Sequence, residues 1–128
     1  CRHNLAHFLD VARIAAILAD EEGLSLNRDL IYTTALLHDI GRFIQYENGT
    51  PHEQASHDLA TGLLRHLDFS PEDQSVILDA ILSHRTAGSR GFNAVFYQAD
   101  KKSRACYGCA AQAECNWNDE KKNLEITY

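Results

Sequence analysis

"ALLHDIGR", residues 35–42, closes an apolar helical run with a histidine and an aspartate side by side, followed by a glycine. His38 and Asp39 are a medium and a hard metal ligand set at the edge of a candidate core. Neighbours on a helix point about 100° apart, so the two side chains do not face each other. They can still converge on a third body beside the helix. Whether such a body exists depends on what the rest of the chain offers.

Working outward from that doublet, the periodicity predicts helices and no alternating strand. The helix that carries it starts near Asn27, a suitable N-cap, and runs through Ile31, Ala35 and Leu36 to Asp39, with Gly41 behind it. Before it, Leu5, Phe8, Val11, Ala15 and Leu18 share one side of a helix from about Asn4 to Glu22. After it, Arg42 to Gly49 reads as a loop. "TPHE" (residues 50–53) then has the form of a capping box, with Thr50 as N-cap and Pro51 at the first helical position. That third helix continues through Leu59, Leu63 and Leu67. "SPED" (residues 70–73) starts a fourth, which carries Val76, Ile77, Ala80 and Ile81 to His84. "TAGSRG" (residues 86–91) is a flexible loop, and a fifth helix covers Ala94 to Ala105. The fold class expected is all-α, a single compact bundle of about five core helices over residues 1–105. A short cysteine-containing C-terminal tail, residues 106–128, should pack on the same domain.

The bulk numbers set limits on function. A chain of 128 residues, 45% apolar and 23% charged, can bury a core without staples. No run approaches the ~20 apolar residues of a membrane span and no signal peptide is visible, so a cytoplasmic protein that does not engage a membrane is expected. The chain begins at Cys1 and contains no methionine, which reads as a processed or trimmed start with a segment missing before it. The formal charge of −6 argues against binding a nucleic-acid polymer. All the lysines lie in the last part of the chain, so arginine is the strong cation of the first hundred residues. Its planar fork suits a phosphate.

There are seven histidines. His38 and Asp39 end helix two, His7 borders the apolar stripe of helix one, His52 sits in the first turn of helix three and His84 in the last turn of helix four. Asp100, in "FYQADK", follows an apolar stretch of helix five. Each helix therefore offers a ligand beside an apolar face, which is how helix bundles build metal sites. A buried carboxylate such as Asp39 also needs a cation or hydrogen bonds to offset its desolvation. His3 and His66 have no partner pattern and read as surface or structural residues.

The ordered set His7, His38-Asp39 and Asp100 resembles the HD superfamily of metal-dependent phosphohydrolases. The local frames "HFLDVARIA", "ALLHDIGR" and "FYQADK" agree as well, over about residues 3–104. "PHEQASHDLA" and "ILDAILSHR" are similar to the segments that carry two further histidines in the binuclear branch. The resemblance implies that His7, His38, Asp39 and Asp100 hold one metal, and that His52 and His84 join a bridging Asp39 on a second. His57 stands where a small residue is expected and competes with His52 for that role, His52 being favoured. His38 and Asp39 would be the catalytic pair. Arg42 is at the family position often held by a basic residue, and with Arg85 is a candidate for contacting phosphate; Arg90 is a weaker one.

Two metals ~3.5–4 Å apart can bind a phosphate between them and lower the pKa of a bridging water. Mixed imidazole and carboxylate ligands suit transition ions better than Mg or Ca. Fe or Mn is favoured, with Co, Ni and Zn also suited. The activity implied is hydrolysis of a phosphate ester or anhydride, in a nucleotide or another small phosphorylated substrate. Two other functions fit the same residues: a di-iron oxygenase of the HD fold, and a nucleotide-binding or sensing module without turnover.

Cys106, Cys109 and Cys115 form C-x2-C-x5-C, with Cys1 as a fourth thiol. The family resemblance does not account for them. If His7 and Asp100 share a metal, the two ends of the chain meet, and a structural site at these cysteines becomes reasonable. Zinc is the first candidate and an iron–sulfur cluster the second. Unligated thiols and disulfides are the alternatives, disulfides being disfavoured in a reducing compartment.

Overall fold

The computed structural model of the protein describes residues 2–128. Among these residues six α-helices follow one another: α1 (Leu5–Glu21), α2 (Arg28–Leu37), α3 (Arg42–Asn48), α4 (His52–Leu64), α5 (Pro71–Ser83) and α6 (Gly91–Lys102). Two 3-10 turns, Cys106–Gly108 and Gln112–Glu114, shape the tail. No strand occurs among the described residues.

Local signals explain most of the helix starts. The Asn4 side chain accepts from the His7 N–H at 3.1 Å, Asn27 from the Asp29 N–H at 2.7 Å, and Ser70 from the Asp73 N–H at 3.1 Å. Helix α1 buries His7, Val11, Ile14, Ala15 and Leu18 along one stripe, and α6 buries Phe92, Val95, Phe96, Ala99 and Asp100. Helix α1 lies against α2 and α6, while α5 touches α2, α4 and α6. Alanines at 12, 15, 35, 60, 80 and 99 are fully buried where these helices cross, so the backbones approach closely. Leu30, Leu64, Ile77, Ile81 and Phe96 fill the space between them.

Four expectations need correction. Residues 42–48 form α3 rather than a loop. None of its residues is buried, so it shows no apolar periodicity to read. It is held by its ends. Gly41 accepts from the N–H groups of Ile44 and Gln45, and Gly49 adopts φ +82° and donates to Gln45 O at 2.9 Å. Thr50 does not cap α4; Pro51 precedes its first residue, and the Gln45 side chain takes the His52 N–H at 3.1 Å. Helix α4 also turns a different face inward. Leu63 and Leu67 are nearly half exposed, whereas His52, Ala55, Ser56, Ala60 and Leu64 are buried. Finally, α6 begins at Gly91 and ends at Lys102, shifted by about one turn toward the N-terminus of the expected span.

Candidate metal centre

The site lies where helix ends meet. His38 and His84 are built alike: each is the residue that closes its helix, α2 or α5, and each turns Nδ1 back onto a carbonyl of the last turn. The contacts are His38 Nδ1 to Ala35 O and His84 Nδ1 to Ile81 O, both 2.6 Å. A carbonyl can only accept, so Nδ1 carries the proton and Nε2 presents a bare lone pair when the ring is neutral. His52, the first residue of α4, has Nδ1 2.7 Å from Gln45 Oε1, which orients its Nε2 the same way.

These lone pairs point at carboxylates. Asp39 sits just beyond α2 and its two oxygens face different partners. Oδ1 lies 3.2 Å from His52 Nε2 and 3.6 Å from His84 Nε2. Oδ2 lies 2.6 Å from His3 Nδ1, 3.2 Å from Arg42 Nε and 3.5 Å from His38 Nε2. Asp100, in the last turn of α6, places Oδ1 3.4 Å from His7 Nε2 and 3.7 Å from His38 Nε2. The same oxygen accepts from Arg104 at 3.2 Å, while Oδ2 accepts from Lys101 at 3.1 Å.

Burial sets the protonation states. It would raise the Asp39 carboxyl, but the imidazoles of His3, His52 and His84 gathered around it outweigh this and hold the group far below the usual carboxylate range. Asp100 is likewise held well below that range, its burial being overcome by His38, His7 and Arg104. Burial dominates at His7 and lowers its imidazole below 6.5 despite the nearby Asp100 carboxylate. The carboxylates are thus ionised and His7 neutral near pH 7, the forms in which these groups ligate metals.

The donors fit a cation. His7 Nε2, His38 Nε2 and Asp39 Oδ1 are buried without a hydrogen-bond partner. His52 Nε2 and His84 Nε2 lie 3.2 Å apart with both Nδ1 atoms already committed. Lone pairs that close repel unless a positive charge lies between or beside them. Ligand atoms of His7, His38 and Asp100 fall within 4.8 Å of one another, as do those of His38, Asp39 and His84.

The structure therefore brings His7, His38, Asp39, His52, His84 and Asp100 together. It does not bring in His57, which is 3.2 Å from its neighbour Asp58 on the outer side of α4. Arg42 borders the site beside Asp39, and Arg85 lines the same cleft with its guanidinium 3.8 Å from Glu53. Among the described cysteines, Cys106 is buried, Cys115 half-buried and Cys109 exposed, all with free thiols. Cys1 lies outside the described residues.

Sequence reasoning missed His3, whose contact with Asp39 completes a further group with His7. The spacing of His3 and His7, four residues apart, was the available signal. It also missed Gln45, and Ser103, whose hydroxyl lies 3.3 Å from His7 Nδ1. Nothing local marks either of those. Arg104 is one helical turn beyond Asp100, an i, i+4 pair that the sequence does show.

The cleft above the site has a volume of about 840 Å³. Arg42, Arg85, Lys101, Lys102, Arg104 and Lys121 all line it, a concentration of cations in a chain of net charge −6. Tyr97 and Trp117 add aromatic surface.

The sequence profile of the HD domain matches residues 4–121. The chain belongs to the HD domain family. An uncharacterized protein of Clostridium beijerinckii is 51% identical over 128 residues, covering all of this chain and 82% of that one. Ribonuclease Y of Enterococcus faecalis is 28% identical over 123 residues, 94% of this chain but only 22% of that much longer protein. The crystal structure of a predicted HD superfamily hydrolase from an uncultured Thermotogales bacterium superimposes with a TM-score of 0.69 at 26% identity. That likeness covers 93% of this chain and 69% of the other. No helix among the described residues is long and apolar enough to cross a membrane.

Proposed function

We propose that this HD domain is a metal-dependent phosphohydrolase acting on a small phosphorylated substrate, with a nucleotide as the favoured class. The family match and the structural neighbour support a metal-dependent hydrolase in general. The observation that carries the finer reading is the set of unpartnered buried donors beneath a cation-lined cleft. His7, His38, Asp39 and Asp100 would hold one ion, and His52 and His84 with Asp39 a second. A nitrogen-and-carboxylate donor set favours Fe or Mn over Mg or Ca. Such ions supply an activated water and polarise phosphoryl oxygens.

The chain's own groups do the rest. Asp39 and Asp100 stay ionised, and His38 and His84 keep their Nδ1 protons on backbone carbonyls, so no ligand has to change protonation state as substrate arrives. Arg42 and Arg85 lie at the cleft wall, where they can hold non-bridging phosphate oxygens and orient the ester. Lys102 and Lys121 widen that field, which suits a substrate with more than one phosphate. Tyr97 and Trp117 offer faces on which a base can stack. The tail, residues 106–128, serves as part of the same domain because it walls this cleft and is tied to α6 through Asn123.

The test is metal content and phosphate release together, on protein purified without oxygen and on His38→Ala. Transition ions at up to two per chain that are lost in the variant, with phosphate released from a nucleotide panel by the wild type alone, would bear the reading out. Iron-dependent oxygen uptake with no phosphate release from any candidate would replace it with an oxygenase. A nucleotide that raises the melting temperature without being consumed would replace it with a sensing module.

A further inference from the structure

The proposed hydrolysis makes no use of the tail cysteines. Cys106, Cys109 and Cys115 nevertheless line one cavity of about 300 Å³, and Arg2, Arg104 and Lys122 line it with them. The run is folded back on itself. The Cys109 N–H donates to Cys106 O at 3.2 Å, and the Gln112 side chain donates to the same oxygen at 2.7 Å. The Trp117 N–H donates to Cys115 Sγ at 3.4 Å, which aims a backbone dipole at the sulfur, as around cluster-bound thiolates. Asp10 lines it too, and of the cations Arg104 is paired with Asp100 and Lys122 with Asp119, each at 3.2 Å.

We propose that Cys106, Cys109 and Cys115 bind an iron–sulfur cluster. Three observations favour a cluster over a single zinc ion. Four-cysteine zinc sites commonly use two close pairs, whereas this chain has one C-x2-C pair and a third cysteine in the same run. Runs of three closely spaced cysteines occur in cluster proteins. Zinc draws its sulfurs to ~2.3 Å and needs no chamber. The cavity here, at about 300 Å³, is roomier than a single ion needs.

The location gives the cluster a role. Cys115 and Trp117 line both the cavity and the cleft, and Asn123 bonds to the carbonyls of Lys101 and Arg104 at 2.8 and 2.9 Å. Ligation of Cys115 at one end and the Asn123 clamp at the other fix the segment between them, which forms a wall of the cleft.

Acid-labile sulfide tests this, because ions held by histidines and aspartates bring none. The full chain, purified without oxygen or reconstituted with ferrous iron and sulfide, should carry acid-labile sulfides. His38→Ala should keep them. Cys109→Ser and Cys115→Ser should each lose most of them while keeping the helical circular dichroism of the wild type; the Cys109 side chain is exposed, so its replacement disturbs no core. Absence of sulfide from the reconstituted wild type would overturn the proposal. So would wild-type sulfide in both serine variants, or one zinc per chain that Cys109→Ser releases. Failure of phosphate release with sulfide intact would count against the hydrolase alone.

Discussion

At the scale of single residues, Asp39 joins the two halves of the site because its oxygens face different histidines. Asp39→Asn keeps the shape and removes the charge that balances those rings. Phosphate release should fall at least ~100-fold, with loss of bound ions on elemental analysis; near-wild-type turnover with full metal content would remove Asp39 from the proposed ligand set. Gln45 acts one step further out, by holding His52 Nδ1. Gln45→Ala should weaken metal binding by roughly 10–100-fold in a competitive titration and leave the fold intact. The two residues differ in legibility. The Asp39 frame could be read from its neighbours along the chain, whereas Gln45 is on a helix with no sequence signal and meets His52 only across a turn.

At the scale of elements, the join between α3 and α4 carries the strictest demand. A Cβ on Gly41 would collide with the backbone of Ala55 and Ser56, and the Ser56 hydroxyl takes the Gly41 N–H at 2.9 Å. Gly41→Ala should therefore destabilise the protein by about 1–3 kcal/mol in urea unfolding, with reduced metal content because His52 shifts with α4. An unchanged unfolding midpoint would show that the two helices can part without cost. Elsewhere the element boundaries follow local rules. Asn4→Ala should cost about 1 kcal/mol by the same measurement, since its side chain satisfies the His7 N–H. It also tests whether the cap sets the position of His7, through any accompanying loss of metal affinity. The starts at Asn4, Asn27 and Ser70 were legible for this reason: a cap and its partner lie within three residues. The inward face of α4 was not. Its leucines make the more obvious stripe, yet a small and polar face is what fits beside Gly41 and delivers His52.

For the whole molecule, the buried ionisable groups tie stability to pH. His7 is lowered below 6.5, so between that value and its folded value the unfolded chain binds a proton that the folded chain refuses. Stability of the metal-free protein is then fully present above about pH 6.5 and falls as the pH drops below it. Asp39 and Asp100 are depressed instead, so what they contribute is kept above about pH 4 and lost only in stronger acid. Urea midpoints taken in chelator from about pH 7.5 to 5 should decline, with a shallower decline in His7→Gln. A midpoint that holds or rises on acidification would contradict this account. Added manganese should raise the midpoint near neutral pH and lose that effect in acid, because metal ligands bind only in their deprotonated forms.

What the sequence determined by itself is what can be written over short stretches: an all-α chain, most helix starts, and the ordered frames around His7, His38-Asp39, His52, His84 and Asp100 that mark the family. Caps, periodicity and ligand frames are local. The tertiary structure alone decided that His3 reaches Asp39, that α4 presents its small face, that Gln45 and Ser103 support histidines, and that three cysteines share a cavity with Arg104. Those relations join residues up to 96 apart in the chain. Their distances are set by how closely the alanine-lined helices pack, which no neighbouring residue along the chain encodes.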